Sequence, residues 1–197
     1  MQIVNVSEED QLRLKMLSRN SYEVNGQIKV SVDGKIENIE HQRGQIMKPC
    51  FNGCLLNYHT HPPDYETLYP DHPSATDFKY IYNATCRFKE LSGHLVVTPK
   101  FLYFIKYNCQ NLPMQIYDFF TITFRIDKRF NDLAINYDRS TEAFRQAYMV
   151  EMRKIGFDVR RFSWGSDISF HVSKSNGTFY KIIVVIVMMF LFVRFFA

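Results

Sequence analysis

Residues 53–63 read Gly-Cys-Leu-Leu-Asn-Tyr-His-Thr-His-Pro-Pro, and residues 73–84 read Pro-Ser-Ala-Thr-Asp-Phe-Lys-Tyr-Ile-Tyr-Asn-Ala. The first stretch is a short apolar run that ends in two histidines and then a proline pair, which cannot donate to a sheet ladder and so closes a strand. The second opens on Ser74 at a good N-cap position and continues with apolar residues at helical spacing, so a helix begins there. Side chains two apart on a strand share a face, which lets His59 and His61 converge on one point. Each half has a bland explanation. Two histidines at a strand end can simply be exposed and hydrogen-bonded, and Ser74-x-x-Asp77 is a capping box that needs no metal. The capping role nevertheless leaves Asp77 rigidly held in the first helical turn, where it can present a carboxylate oxygen to an ion beside the strand end. Two histidines and one carboxylate make an open zinc site, with the fourth position left for water.

Outward from this unit the chain alternates helices and strands. Ser7-Glu-Glu-Asp10 opens a helix whose apolar face is expected from Leu12, Met16 and Leu17, with Leu14 nearby, running to about Ser18. Glu23 to Val32 and Lys35 to Ile39 form a hairpin about Asp33-Gly34. Gly93 to Thr98 and Phe101 to Ile105, rich in β-branched and aromatic residues, are expected to be adjacent strands. Beyond Pro113 the sequence suggests a strand from about Asp118 to Ile126. A helix from about Ser140 to Ile155 follows, closed by Gly156, and then a strand-like stretch from Val159 to Val172. The apolar face of that helix (Phe144, Ala147, Tyr148, Met152, Ile155) reads as core. The fold class is therefore α/β of the α+β type.

With 197 residues the chain suits one domain plus a tail. A net charge of +4 is too small for a nucleic-acid surface, and the basic residues from Arg125 to Arg161 alternate with acidic ones, so no nucleic-acid partner is expected. Cys50, Cys54, Cys86 and Cys109 show no paired CxxC spacing, and the acidic, polar N-terminus is unlike a secretory signal, which points to a reducing compartment. Cys50 and Cys54 lack a second pair that would complete another metal site. Ile182 to Val193 is unbroken apolar sequence flanked by Lys181 and Arg194. Twelve residues fall short of the roughly 20 that a span needs. Counted from Phe179 to Ala197, with the two basic side chains reaching opposite interfaces, the stretch reads as a C-terminal transmembrane anchor. Insertion after synthesis would leave the rest of the chain facing the cytosol from an intracellular membrane.

Glu23-Val-Asn-Gly26, His59-Thr-His61-Pro62, Pro73-Ser74-Ala-Thr-Asp77 and the strand Gly93-His-Leu-Val-Val97 together resemble, in order and context, the JAMM metalloprotease family of the MPN+ type. The resemblance covers about residues 8 to 106. It implies a curved mixed β-sheet flanked by helices, the MPN/JAB-like (cytidine-deaminase-like) core. It also implies that His59, His61 and Asp77 ligate one zinc ion, that Glu23 is the acid/base residue, and that Ser74 stabilises the oxyanion. Glu37 and Glu40 compete with Glu23 for that role, but only Glu23 has Gly26 after it and a helix before it. The fifteen residues between His61 and Asp77 exceed the family spacing by about five, placing an insertion within Pro63 to His72, where added loop length costs little closure entropy. Asp64, Glu66, Asp71 and His72 within it are expected in a solvated loop.

The expected organisation is a JAMM/MPN-like core at 1–112, a C-terminal extension at 113–178 and an anchor at 179–197. The expected function is hydrolysis of an isopeptide or peptide bond, with ubiquitin or ubiquitin-like conjugates as partners. The alternative is a catalytically inactive MPN-like scaffold or adaptor at a membrane.

Overall fold

The computed structural model describes residues 2–43, 56–63, 71–88, 91–108 and 116–172. The anchor expected at 179–197, Cys50, Cys54, Asp64 and Glu66 lie outside these residues. The elements in chain order are β1 (Gln2–Val6), α1 (Glu8–Leu17), β2 (Val24–Val30), β3 (Ile36–Arg43), β4 (Leu56–Thr60) and α2 (Ala75–Phe88). They continue with β5 (Gly93–Val97), β6 (Phe101–Tyr107), α3 (Ile116–Asn136), α4 (Glu142–Lys154), β7 (Phe157–Ser163) and β8 (Ile168–Val172). Among the described residues no helix is long and apolar enough to cross a membrane.

The main sheet is mixed, six-stranded and ordered β3-β2-β4-β5-β6-β7, with only β4 and β5 parallel. β1 and β8 form a separate antiparallel pair. The crossover between β4 and β5 is α2, as a parallel pair requires. Because strand side chains alternate, the sheet has two apolar faces. Ile28, Leu56, Tyr58, Leu95, Val97, Leu102 and Phe104 pack with Leu14 of α1 and with the β1–β8 pair. Val96, Tyr103, Ile105, Phe157 and Val159 pack with Phe78 and Ile81 of α2, Ile126 of α3, and Phe144, Tyr148 and Met152 of α4. The apolar face expected on α4 is thus core. β4 and β5 are buried throughout, as strands covered on both faces must be.

Two hydrogen-bonded details hold the upstream part. Ser7 caps α1 by accepting from the Asp10 amide at 3.2 Å. The Asp33-Gly34 turn joins β2 to β3, with Gly34 at φ 86°, where a side chain would be strained.

The structure departs from the sequence reading at several elements, beginning with α1, where Leu14 is buried but Leu12 and Met16, expected on its apolar face, are exposed. The run at 118–126, expected as a strand, lies within α3: Ile122, Ile126, Phe130 and Leu133 recur at helical spacing and face the core, while Phe120 and Phe124 point outward. A dense mixture of Phe, Ile and Thr imitates β composition, and the helical period decides. The strand-like stretch at 159–172 is two strands separated by a turn in which the Ser166 amide donates to the Ser163 carbonyl at 3.2 Å; β7 continues the main sheet and β8 pairs with β1. β1 itself was not anticipated, although its buried-exposed alternation is that of a half-covered strand.

Candidate metal centre

The parallel β4–β5 pair lies in the middle of the sheet, and Asn57 and His59 project from β4 toward the face covered by α2. His61 follows directly, its amide continuing the ladder by donating to the Val97 carbonyl at 2.9 Å. From α2, Asp77 meets both histidines. Its Oδ1 is 3.1 Å from His59 Nε2, its Oδ2 is 3.4 Å from His61 Nε2, and the two imidazole Nε2 atoms are 3.0 Å apart. Donors on a tetrahedral zinc at normal bond lengths are separated by about 3.3–3.5 Å, so this spacing admits one ion with little adjustment. All three residues are buried, at 1%, 4% and 5% exposure. Of the described residues, these three form a group that can hold a metal ion.

The electrostatics agree with a cation site. Burial opposes the Asp77 charge, yet the facing histidines, His59 foremost, hold its carboxyl well below the usual range. Burial likewise opposes protonation of His59, but the Asp77 charge raises its affinity for a proton. A buried carboxylate without a positive partner would be severely destabilising, and the two histidines can supply one, either as a protonated ring or by holding an ion.

Asp77 is fixed by the capping box read from the sequence. The Ser74 amide donates to Asp77 Oδ2 at 2.6 Å, and the Asp77 amide donates to Ser74 Oγ at 3.2 Å. Capping and ligation are therefore compatible, and the Ser74 hydroxyl hydrogen is not used in that bond. Glu23 immediately precedes β2. The Val24 amide donates to Thr60 Oγ1 at 2.9 Å, pinning this end of β2 to the residue between the two histidines. Burial raises the proton affinity of the Glu23 carboxyl, and His59, His61 and Asp77 all act on its ionisation. Gly26 has a steric reason to lack a side chain, since a Cβ there would stand 1.8 Å from the Glu40 carbonyl oxygen. Glu40 pairs with Lys29 at 2.7 Å, both of them largely exposed.

The expected solvated loop is corrected at its end. His72 is buried against Phe144 and Tyr148, and Asp71 is nearly covered and paired with Lys100 at 2.5 Å. His72 Nδ1 lies 2.8 Å from the Pro73 carbonyl oxygen and so donates to it, while its Nε2 is buried with no hydrogen-bond partner among the described residues. Burial pushes His72 down to about 4. The aromatic side chains of α3 and α4 are what draw this end of the loop inward, and their approach is not visible in the local sequence.

Sequence reasoning also missed His94. It stands opposite Asn57 in the β4–β5 register, fully buried, with Nε2 2.7 Å from His59 Nδ1. Burial and then His59 hold it well below the usual histidine range. The available signal was a histidine inside the apolar strand Gly-His-Leu-Val-Val, a polar residue that burial obliges to find a partner.

Comparison of the chain with protein-family models, with curated proteins and with solved structures finds no match. The family resemblance stands on the motif residues and on the buried triad they form.

Proposed function

We propose that this chain is a zinc-dependent hydrolase of the JAMM type, cleaving an isopeptide or peptide bond in a ubiquitin or ubiquitin-like conjugate. The observation that carries the reading is the placement of Glu23: it immediately precedes β2, whose Val24 amide donates at 2.9 Å to the hydroxyl of Thr60 between the two histidines, and its partly buried carboxyl feels the charges of His59, His61 and Asp77. A metal triad alone would fit storage, structure or redox chemistry; a partly buried carboxyl beside it adds a proton acceptor. The order of hairpin, histidine-ended strand, capped helix and strand pair supports the MPN/JAB-like, cytidine-deaminase-like assignment of the core.

His59, His61 and Asp77 would hold one zinc ion, which when bound supplies Lewis acidity that brings the deprotonation of water near neutral pH. Glu23 accepts the proton of the attacking water and returns it to the departing amine; burial, which raises its proton affinity, offsets the pull of a bound cation in the other direction. The Ser74 hydroxyl, held at the N-terminus of α2, donates to the carbonyl oxygen as negative charge develops there. Residues 179–197 would tether the unit to an intracellular membrane, facing the cytosol.

The test is zinc content and cleavage of a ubiquitin chain by the full protein. Wild type is expected to hold about one zinc per chain and to cleave. Glu23→Gln is expected to keep the metal and lose cleavage, and His59→Ala to lose both. A folded wild type that takes up no zinc would overturn the metal centre; zinc uptake without cleavage of any conjugate would overturn the substrate class.

A further inference from the structure

The mechanism leaves unused a chain of buried polar side chains that starts on the far side of the His59 ring. His59 Nδ1 is 2.7 Å from His94 Nε2, His94 Nδ1 is 2.5 Å from Asn57 Oδ1, and Asn57 Nδ2 donates to the Tyr80 hydroxyl at 2.9 Å. His59, His94 and Asn57 are at most 3% exposed, so water cannot substitute for any of these partners. The sheet register sets up the contact: Asn57 and His94 are direct neighbours across β4 and β5, and the His59 and His94 rings stack with centroids 4.9 Å apart.

A neutral imidazole has one donor and one acceptor nitrogen, so the direction of one bond in such a chain fixes the direction of the next. Two separate observations give the same direction here. From the Tyr80 end, the Asn57 amide turns its nitrogen to the hydroxyl and its oxygen to His94, so His94 Nδ1 must donate and His94 Nε2 must accept. From the triad end, His59 Nε2 lies among the donor atoms of His61 and Asp77, and a ligand there needs its lone pair on Nε2 and its proton on Nδ1.

We propose that His94, oriented by Asn57, is a positioning residue that accepts the Nδ1 proton of His59 and thereby commits the Nε2 lone pair of His59 to the metal. The purpose assigned to His94 and the argument from the triad end rest on the metal-centre reading; the direction set by the Asn57 amide does not. Without this acceptor the His59 proton is free to move to Nε2, donate to Asp77 and compete with the ion. Outer partners of this kind are worth roughly 10- to 100-fold in metal affinity.

The experiment uses the full chain, 15N-labelled at its six histidines, in long-range proton–nitrogen spectra that separate protonated from bare ring nitrogens. Zinc affinity is measured in parallel, by chelator competition, for wild type, His94→Leu and His94→Gln. The glutamine places an amide oxygen where it can accept from His59; the leucine cannot accept. The expected result is His94 protonated on Nδ1 in the zinc-loaded protein, affinity weakened about 10- to 100-fold in His94→Leu, and most of that loss recovered in His94→Gln. His94 protonated on Nε2 in a protein that binds zinc overturns the relay alone, as does a folded His94→Leu with wild-type affinity. If His94→Leu fails to fold, the wild-type spectrum decides. A wild type that binds no zinc overturns the metal centre and the positioning role together.

Discussion

Asp77 is buried, so whatever balances its charge must come largely from the protein or from an ion, and this single burial organises the residues around it. Glu23 carries the next consequence. Burial raises its proton affinity, and a divalent ion among His59, His61 and Asp77 would pull it back down by Coulomb attraction. Titration of the Glu23 side-chain carbon resonance is therefore expected to show a midpoint above 4.5 in metal-free protein and a lower one after zinc is added. An unchanged midpoint would place Glu23 away from the ion. His72 makes a separate prediction. The unfolded chain takes up its proton near 6.5, whereas the folded protein resists until about 4, so stability is complete above 6.5 and falls as pH drops through that window. At pH 5 the loss is on the order of 2 kcal/mol. His72→Phe, set among Phe130, Phe144 and Tyr148, is expected to lose that much less than wild type between pH 7.5 and pH 5 in urea unfolding. Equal losses would mean that His72 takes its proton in the folded state.

At the scale of elements, β4 holds the site together because its three neighbouring connections all reach the histidines. β2 delivers Glu23, β5 delivers His94, and the crossover α2 delivers Asp77. The Thr60 hydroxyl is the clasp between β4 and the start of β2. Thr60→Val keeps the shape but leaves the buried Val24 amide without its acceptor, at a cost of about 1–3 kcal/mol. It is expected to retain zinc and to lose cleavage on the order of 10- to 100-fold, through displacement of Glu23, as metal analysis and steady-state rates would show. Gly26→Ala acts on the same hairpin by overcrowding. A Cβ at 1.8 Å from the Glu40 carbonyl forces β2 and β3 apart, with an expected loss of about 3 kcal/mol or more in denaturant unfolding. A near-normal unfolding midpoint would contradict the close approach of these strands. The Glu-x-x-Gly spacing was legible in the sequence; that the glycine answers to a carbonyl on β3 was not, because the contact comes from a neighbouring strand rather than from Gly26 itself.

Across the whole molecule, the triad joins the sheet to the helical layer, so an ion bound there stabilises the folded chain by linkage. With free zinc at about a hundred times its dissociation constant the gain is roughly 2.7 kcal/mol. Removing the metal with a chelator is then expected to lower the melting temperature by about 5–10 °C, measured by circular dichroism. No change on chelation would mean that Asp77 is neutralised by protonated histidine instead. What the sequence determined by itself was local: the strand ended by Pro62-Pro63, the Ser74–Asp77 capping box and the histidine pair on one strand face, each fixed by backbone chemistry within a few residues. Short-range periodicity also set the mixed α+β class, although the Phe, Ile and Thr of α3 have a strand-like composition and only their packing at helical spacing against the core makes them a helix. Only the tertiary structure brought Asp77 within 3.1 Å of His59, turned His72 inward against Phe144 and Tyr148, and set His94 behind His59. Those contacts join residues far apart in the chain, and their geometry comes from sheet register and helix packing, which no local pattern encodes.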